Sequence, residues 1–240
     1  MEVNVNPTMS TETLLHVHVS AENVSRLELL EEELRRKSMQ LVLKRTFDIT
    51  VSLLLILLFS PFLLLVTLLI KVTSRGPILY NSDRVGLSGR HFKCHKFRSM
   101  VTDHSVREDD HKQAIVGQQN GILHKRRNDS RITFVGKIIR KTSIDELPQL
   151  FNVLKGDMSM IGPRPLVPFM LKPYPEFREI RSLVRPGITG LWQIRDREHN
   201  TSAEFMITHD TEYIENYSLL LDLKILVDTP LVVISGKGAY

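Results

Sequence analysis

The chain has a single cysteine, Cys94, in 240 residues, so no intramolecular disulfide can form. This suits a body that faces a reducing compartment. There is no Walker-type phosphate loop and no dinucleotide fingerprint, which removes the nucleotide-binding folds that depend on them. The nine histidines show no metal-ligand spacing, and His16 and His18 fall in a polar leader. The first 20 residues lack the basic start and apolar run of a cleavable signal peptide. No internal repeat stands out, and the heptads are too few for a coiled coil.

What the chain does have is an apolar run of 22 residues, Ile49–Ile70, with Ser60-Pro61 near its centre. As a helix it reaches roughly 33 Å, enough to cross the hydrocarbon core of a bilayer. Proline removes a backbone donor and crowds the preceding turn, so a kink is expected there. Lys44 and Arg45 precede the run, and Lys71 and Arg75 follow it. Because basic flanks tend to stay cytoplasmic, positive charge at both ends argues for two ends on one face. Three readings stand: a single span, which length alone favours; a re-entrant hairpin broken at Ser60-Pro61; and a buried soluble helix.

Net charge is +5 and uneven: residues 1–43 carry seven acids and four bases, a local −3, leaving +8 on the remainder. Two basic runs, Lys71–Arg98 and Lys125–Lys141, account for much of the excess. Beside a membrane segment they attract anionic headgroups or substrate phosphates. Nucleic acid is not an expected partner, because no reading motif accompanies these runs.

Along the chain, residues 1–20 read as a loose leader. Residues 21–43 read as an amphipathic helix, with Val24, Leu27, Leu30 and Leu34 at helical spacing. Such a helix can meet a partner, the domain or the membrane, and it makes a homodimer an expectation. Turn signals at Gly76-Pro77, Gly86 and Ser88-Gly89 break an extended region over 76–100. Residues 102–130 read as a loop. Short helices are expected at Val135–Lys141 and Asp145–Leu154. The five prolines within 162–175 make that stretch mostly non-helical. Ser202–Tyr217 reads as an amphipathic helix and Leu219–Ile234 as an interfacial one.

Three segments could carry chemistry. In Lys141–Leu150, Asp145 and Glu146 are adjacent carboxylates at a helix start. Ser143-x-x-Glu146 matches a capping box, or Asp145 is itself the N-cap. A carboxylate in that position is also held ionised, as a nucleophile or a Mg²⁺ ligand must be. In Gly156–Pro165, Arg164 stands between two prolines, a constrained guanidinium suited to phosphate. Asp157 is either a second carboxylate near a metal or a turn residue. In Arg185–Gly190 an arginine and two glycines shape a polar loop, and the following Trp192 suits base stacking, the membrane interface or core packing. Lys96–Met100 is a basic, strand-like segment with no mechanism of its own.

Together these pieces resemble the bacterial sugar transferase family, the monotopic polyprenyl-phosphate phosphoglycosyl transferases. Carrying the resemblance are Lys44-Arg-Thr-Phe-Asp48, the Ser60-Pro61 segment, Lys96–Met100, Asp145–Ser159, Gly162-Pro-Arg-Pro165, Arg185–Gly190 and Leu221–Ile225, in family order over 44–240.

The resemblance implies an α+β, mostly helical, monotopic membrane protein. Its parts would be a re-entrant kinked helix over 49–70, interfacial amphipathic helices and a small catalytic head on the cytoplasmic face of the bacterial inner membrane. Residues 1–43 would form a separate polar leader and amphipathic helix. The implied reaction moves a sugar 1-phosphate from a UDP-sugar to polyprenyl phosphate and releases UMP. Asp145 resembles the nucleophile, and Asp145 with Glu146 resembles the Mg²⁺-binding pair. Arg140, Arg164 and Arg185 are expected at substrate phosphates, with Asp157 and Arg98 behind them. The loop Ile194–His199 departs from the family's usual Gly-Arg pair, which leaves donor choice open. A competing expectation is a non-catalytic membrane adaptor that recruits partners through residues 1–43.

Overall fold

The computed structural model describes residues 25–101, 131–195 and 203–235. The leader over 1–20 and the loop over 102–130 lie outside them, as does most of the 194–199 loop. A helix over 25–36, α1, turns at Lys37 into α2, Ser38–Thr73. At 36 residues α2 is the one described helix long and apolar enough to cross a membrane, and its helical run passes through Pro61 without interruption. Its straight length would be about 54 Å. It also runs unbroken through residues 43 and 44, where the sequence suggested a boundary.

The apolar face of α1 is not left for a partner. Leu30 and Leu34 are buried in the main core with Val153, Ile180 and Tyr213 of the same chain. Arg26 reaches Glu215 at 2.6 Å, and Lys37 Nζ donates to the Tyr217 carbonyl at 2.9 Å. The amphipathic pattern therefore reports packing onto the domain, and a dimer draws no support from it.

Both halves of α2 pack on the same body. Leu41, Val51, Leu55 and Ile56 join the main core around Leu150, Val153, Tyr213 and Ile225. Past the proline, Leu63, Val66 and Ile70 join a second cluster with Phe97, Val135 and Ile139. Between them residues 57–59, 61 and 62 are exposed. Pro61 cannot donate to the carbonyl four residues back, and the Ser60 hydroxyl serves that Leu57 oxygen instead, at 2.9 Å. Side chains turned outward, such as Leu54, Leu58, Leu64 and Leu68, make an apolar surface far larger than water tolerates.

Polar keys fix the first half. Lys44 Nζ pairs with Asp222 at 2.8 Å, both buried, and Tyr213 donates to the other Asp222 oxygen at 2.8 Å. Asp48 accepts the Met160 backbone N–H at 2.9 Å. Arg45 donates to the carbonyls of Val153 and Leu154, which end a helix and carry its negative dipole end. This is the physical content of the Lys44–Asp48 motif: it docks the membrane-length helix on the head.

The head begins with an antiparallel hairpin, β1 (Leu79–Val85) and β2 (His91–Phe97), in register Tyr80 with Lys96 and Ser82 with Cys94. Helices α3 (Phe134–Lys141) and α4 (Gln149–Lys155) follow. Asn152 of α4, fully buried, accepts from His95 N–H at 2.9 Å and donates to the Lys93 carbonyl at 2.8 Å, so α4 is hydrogen-bonded to the edge of β2. A short parallel pair comes next, β3 (Ser159–Ile161) and β4 (Gly187–Thr189), separated by α5 (Pro168–Leu171) and α6 (Pro175–Arg181). Here backbones touch: a Cβ on Gly187 would sit 2.1 Å from Gly162 N, and one on Gly190 2.3 Å from Gly162 O. The glycines of both loop motifs are thus required by this approach. The chain continues through α7 (Leu191–Arg195), α8 (Ala203–Glu215) and α9 (Leu219–Ser235). On α9, Leu220, Leu223, Val227 and Leu231 form an exposed apolar stripe at helical spacing.

Candidate active site

Helix α3 ends in Arg140 and Lys141, and Ser143 turns the chain through a left-handed conformation at φ 57°. A single 3₁₀ turn, Ile144–Glu146, then presents the two carboxylates. Neither capping reading describes it. Ser143 makes no capping bond with its side chain, and α4 starts later, at Gln149, with Pro148 in the cap position. Proline has no side-chain acceptor, so the start of α4 is set by backbone geometry. The carboxylates are left for other work.

Cations gather on them. Lys96 Nζ donates to Glu146 Oε1 at 2.6 Å, and Arg164 Nη2 stands 3.5 Å from the same oxygen. Arg84, largely buried, is close enough to feel both Arg164 and Glu146, and burial lowers its pKa. Burial, and then the Glu146 charge, push Asp145 up to about 6, while Lys96, Arg140 and Arg164 pull the other way. Burial, with the neighbouring carboxylate second, outweighs the three nearby cations.

Residues behind this cluster hold Arg164. Its guanidinium lies 5.9 Å from the centre of the Trp192 ring. Trp192 itself is buried with Val85, Leu166, Phe177 and Met206, so core packing is its place, with the ring backing an arginine. Arg181 donates to the Arg164 carbonyl and pairs with Asp210 at 3.5 Å, both deeply buried. Burial raises Asp210 to about 7 against the opposing charge of Arg181.

The structure brings Asp145, Glu146, Arg140 and Arg164 together. The other named residues lie elsewhere. Arg185 sits at the far end of α4, where its Nε donates to the Gly156 carbonyl at 2.9 Å. Asp157 occupies the same turn, 3.4 Å from the Asn152 amide. Arg98 is buried at the end of α2, donating to the Ser74 carbonyl and hydroxyl, both at 2.7 Å. Lys96 and Arg84 were the residues sequence reasoning passed over. The signal was period-two alternation: Tyr80, Ser82 and Arg84 share one face of β1, and their cross-strand neighbours Lys96, Cys94 and Phe92 lie on the matching face of β2.

Among the described residues, no group of three or more His, Cys, Asp or Glu side chains stands together as a metal site. The Asp145–Glu146 pair supplies hard oxygen donors, and the proton affinity of Asp145 is raised by burial and then by the Glu146 charge, both of which a bound cation would offset. Magnesium commonly uses one or two carboxylates and completes its shell with water and phosphate oxygens, so the pair fits that ion.

The site is thus a set of cations around an acidic turn, on a body keyed to a membrane-length helix. The profile of the family described as bacterial sugar transferase matches residues 39–236, and the chain belongs to this family. It is 44% identical over 201 residues to the undecaprenyl-phosphate galactose phosphotransferase of Salmonella typhimurium, covering 82% of this chain and 42% of that protein. It is 41% identical over 207 residues to the UDP-glucose:undecaprenyl-phosphate glucose-1-phosphate transferase of Klebsiella pneumoniae, covering 83% and 42%. The exopolysaccharide production protein ExoY of Sinorhizobium fredii is 40% identical over 199 residues, covering 82% and 88%. The chain therefore spans less than half the length of the first two relatives.

Proposed function

We propose that this protein transfers a sugar 1-phosphate from a UDP-sugar to undecaprenyl phosphate at the cytoplasmic face of the bacterial inner membrane. This step begins an exopolysaccharide, capsule or O-antigen type glycan. The observation that carries it is the Asp145–Glu146 turn set among Lys96, Arg140 and Arg164, on a body docked to α2.

An oxygen of ionised Asp145 attacks the sugar-bearing phosphorus. The bond from that phosphorus to the bridging oxygen breaks, UMP leaves with the electron pair, and an aspartyl phosphosugar remains. The phosphate oxygen of undecaprenyl phosphate then attacks the same phosphorus and frees Asp145. An anion approaching an anionic diphosphate needs positive charge in place beforehand, which Lys96, Arg140 and Arg164 provide. Asp145 and Glu146 would hold Mg²⁺, which when bound neutralises diphosphate charge.

The membrane topology proposed is re-entrant. Support comes from the two halves of α2 packing on one body and from the exposed, proline-bearing stretch between them. The adaptor reading has little to draw on, since the apolar face of α1 is occupied by its own chain.

Intact mass after mixing the protein, Mg²⁺ and a panel of UDP-sugars without lipid tests the reading. A gain of one sugar phosphate, absent in Asp145→Asn, is expected. No gain with any donor, and no UMP after adding undecaprenyl phosphate, would overturn it.

A further inference from the structure

Beside the acidic turn lies a second space of different chemistry. It is a partly open cavity of about 230 Å³, and Glu146 lies on its wall. The remaining wall is largely hydrocarbon: Leu55 from α2, Leu150 from α4, Ile188 from β4 and Val232 from α9 all line it. None of the site's cations does so. The turn therefore separates a cationic side, built by Lys96, Arg84 and Arg164, from an apolar one.

Two of those walls are the inner flanks of helices whose outer flanks are exposed hydrocarbon. Leu54 and Leu58 flank Leu55 on α2, and Val227 and Leu231 precede Val232 on α9. The cavity is thus continuous in chemistry with the surface that faces lipid. At its volume it is smaller than the roughly 300–1,000 Å³ of a site enclosing a drug-sized ligand. It suits a short stretch of chain, the rest staying in the membrane.

We infer that this cavity seats the first isoprene units of the polyprenyl acceptor, so that its tail lies on the apolar side of the turn while its phosphate reaches the phosphorus carried by Asp145. The inference rests on the proposed transferase reaction. In-line displacement brings the acceptor's phosphate to the apex that UMP vacates, so the two substrates share the cationic side for their phosphates and differ in where the rest of each molecule lies. Thr189 and Thr229 also line the cavity, but their hydroxyls are bonded to each other at 2.9 Å, and Thr229 donates to the Ile225 carbonyl at 2.6 Å. Gln193 Oε1, buried and without a hydrogen-bond partner, lines it as well. A sugar hydroxyl would satisfy that oxygen and an isoprene would not, so the experiment must tell sugar from lipid.

Leu55→Phe and Val232→Phe fill the cavity from two different helices, so one survives if the other fails to fold. Each is compared with wild type in two assays. The first is formation of the phosphosugar protein from the UDP-sugar that labels wild type, without lipid. The second is turnover against undecaprenyl phosphate. The expected result is labelling within about twofold of wild type and an acceptor KM raised roughly tenfold or more. An unchanged acceptor KM overturns the inference, and so does impaired labelling with a raised donor KM, which would make the cavity the sugar's. A third readout needs no chemistry: an isoprenyl phosphate bearing a benzophenone is photocrosslinked to wild type and the labelled peptides are mapped. Labels on Leu55, Ile188 or Val232 support the seat even if no phosphosugar forms; labels confined to other segments overturn it.

Discussion

Two regions of this molecule put carboxylates and cations together in partly dry surroundings, and they do it differently. At the foot of α2, Lys44, Asp222 and Tyr213 form a closed set, and Asp48 has a backbone N–H to itself. At the 3₁₀ turn, Glu146 takes Lys96 while Asp145 stands beside another anion with a proton affinity well above that of an ordinary carboxyl. The first arrangement gives a fixed docking geometry with nothing left to react. The second keeps an unresolved charge conflict that a bound cation can relieve. A raised proton affinity does not by itself mark a site, since burial raises Asp210 and Asp222 as well; what differs at the turn is the second carboxylate beside the first.

The sharpest way to break this comparison is Asp145→Asn. Turnover, followed by UMP release, is expected to fall by about a thousandfold or more, because an amide is a poor nucleophile. The same change should stabilise the fold. Asp145 holds its proton more tightly when folded, so its contribution to stability falls as pH rises from 3.8 through about 6. Replacing it should remove that loss, on the order of 1 kcal/mol given the turn's access to water. Thermal unfolding at pH 7 checks this; a variant less stable than wild type would deny the conflict at the turn.

Lys44→Met at the docking site should do the reverse. It strands Asp222 in a buried setting and should cost about 3–5 kcal/mol of stability. Protein that remains folded at low temperature should still form the phosphosugar species. Equal loss of labelling per folded molecule would mean that Lys44 serves chemistry and that the two regions are not distinct. Next in size is Lys96→Met. Lys96 favours ionised Asp145, so its loss should move the acid limb of phosphosugar formation to higher pH and slow that step on the order of a hundredfold. A limb that stays in place would remove Lys96 from the electrostatics of the turn.

Much of this was legible in the chain itself. The apolar run and its basic flanks marked residues 49–70 of α2, and the turn signals marked the extended region that holds β1 and β2, because each follows from local periodicity or turn chemistry. Asp145, Glu146, Arg140 and Arg164 were legible as candidates through their motifs. What could not be read were partners distant in sequence. Arg98 looked like a site residue and proves to serve the end of α2, and Arg185 is tied to Gly156. An arginine that donates to backbone carbonyls has the same sequence signature as one waiting for phosphate. The capping pattern at Ser143 failed because Pro148 and a left-handed Ser143 replace a helix start with a 3₁₀ turn. The amphipathic spacing of α1 carried no information about which surface would cover it.

The smallest effect expected lies between the two halves of α2. There the polar keys of the first half give way to hydrocarbon contacts in the second, and one hydroxyl bridges them. Ser60 donates to the Leu57 carbonyl, the oxygen that Pro61 leaves without its helical donor. Under the proposed re-entrant topology this stretch faces lipid, where no water can replace that bond. Ser60→Ala should therefore cost about 0.5–1.5 kcal/mol, measured by thermal unfolding in lipid nanodiscs. The cost should depend on the proline. In a Pro61→Ala background the backbone N–H returns and serves Leu57, so adding Ser60→Ala should then change little. This double-mutant cycle isolates the compensation from any general preference for serine. If Ser60→Ala costs the same in both backgrounds, the hydroxyl is not there to answer the proline, and the exposed middle of α2 would need another explanation for its Ser-Pro step.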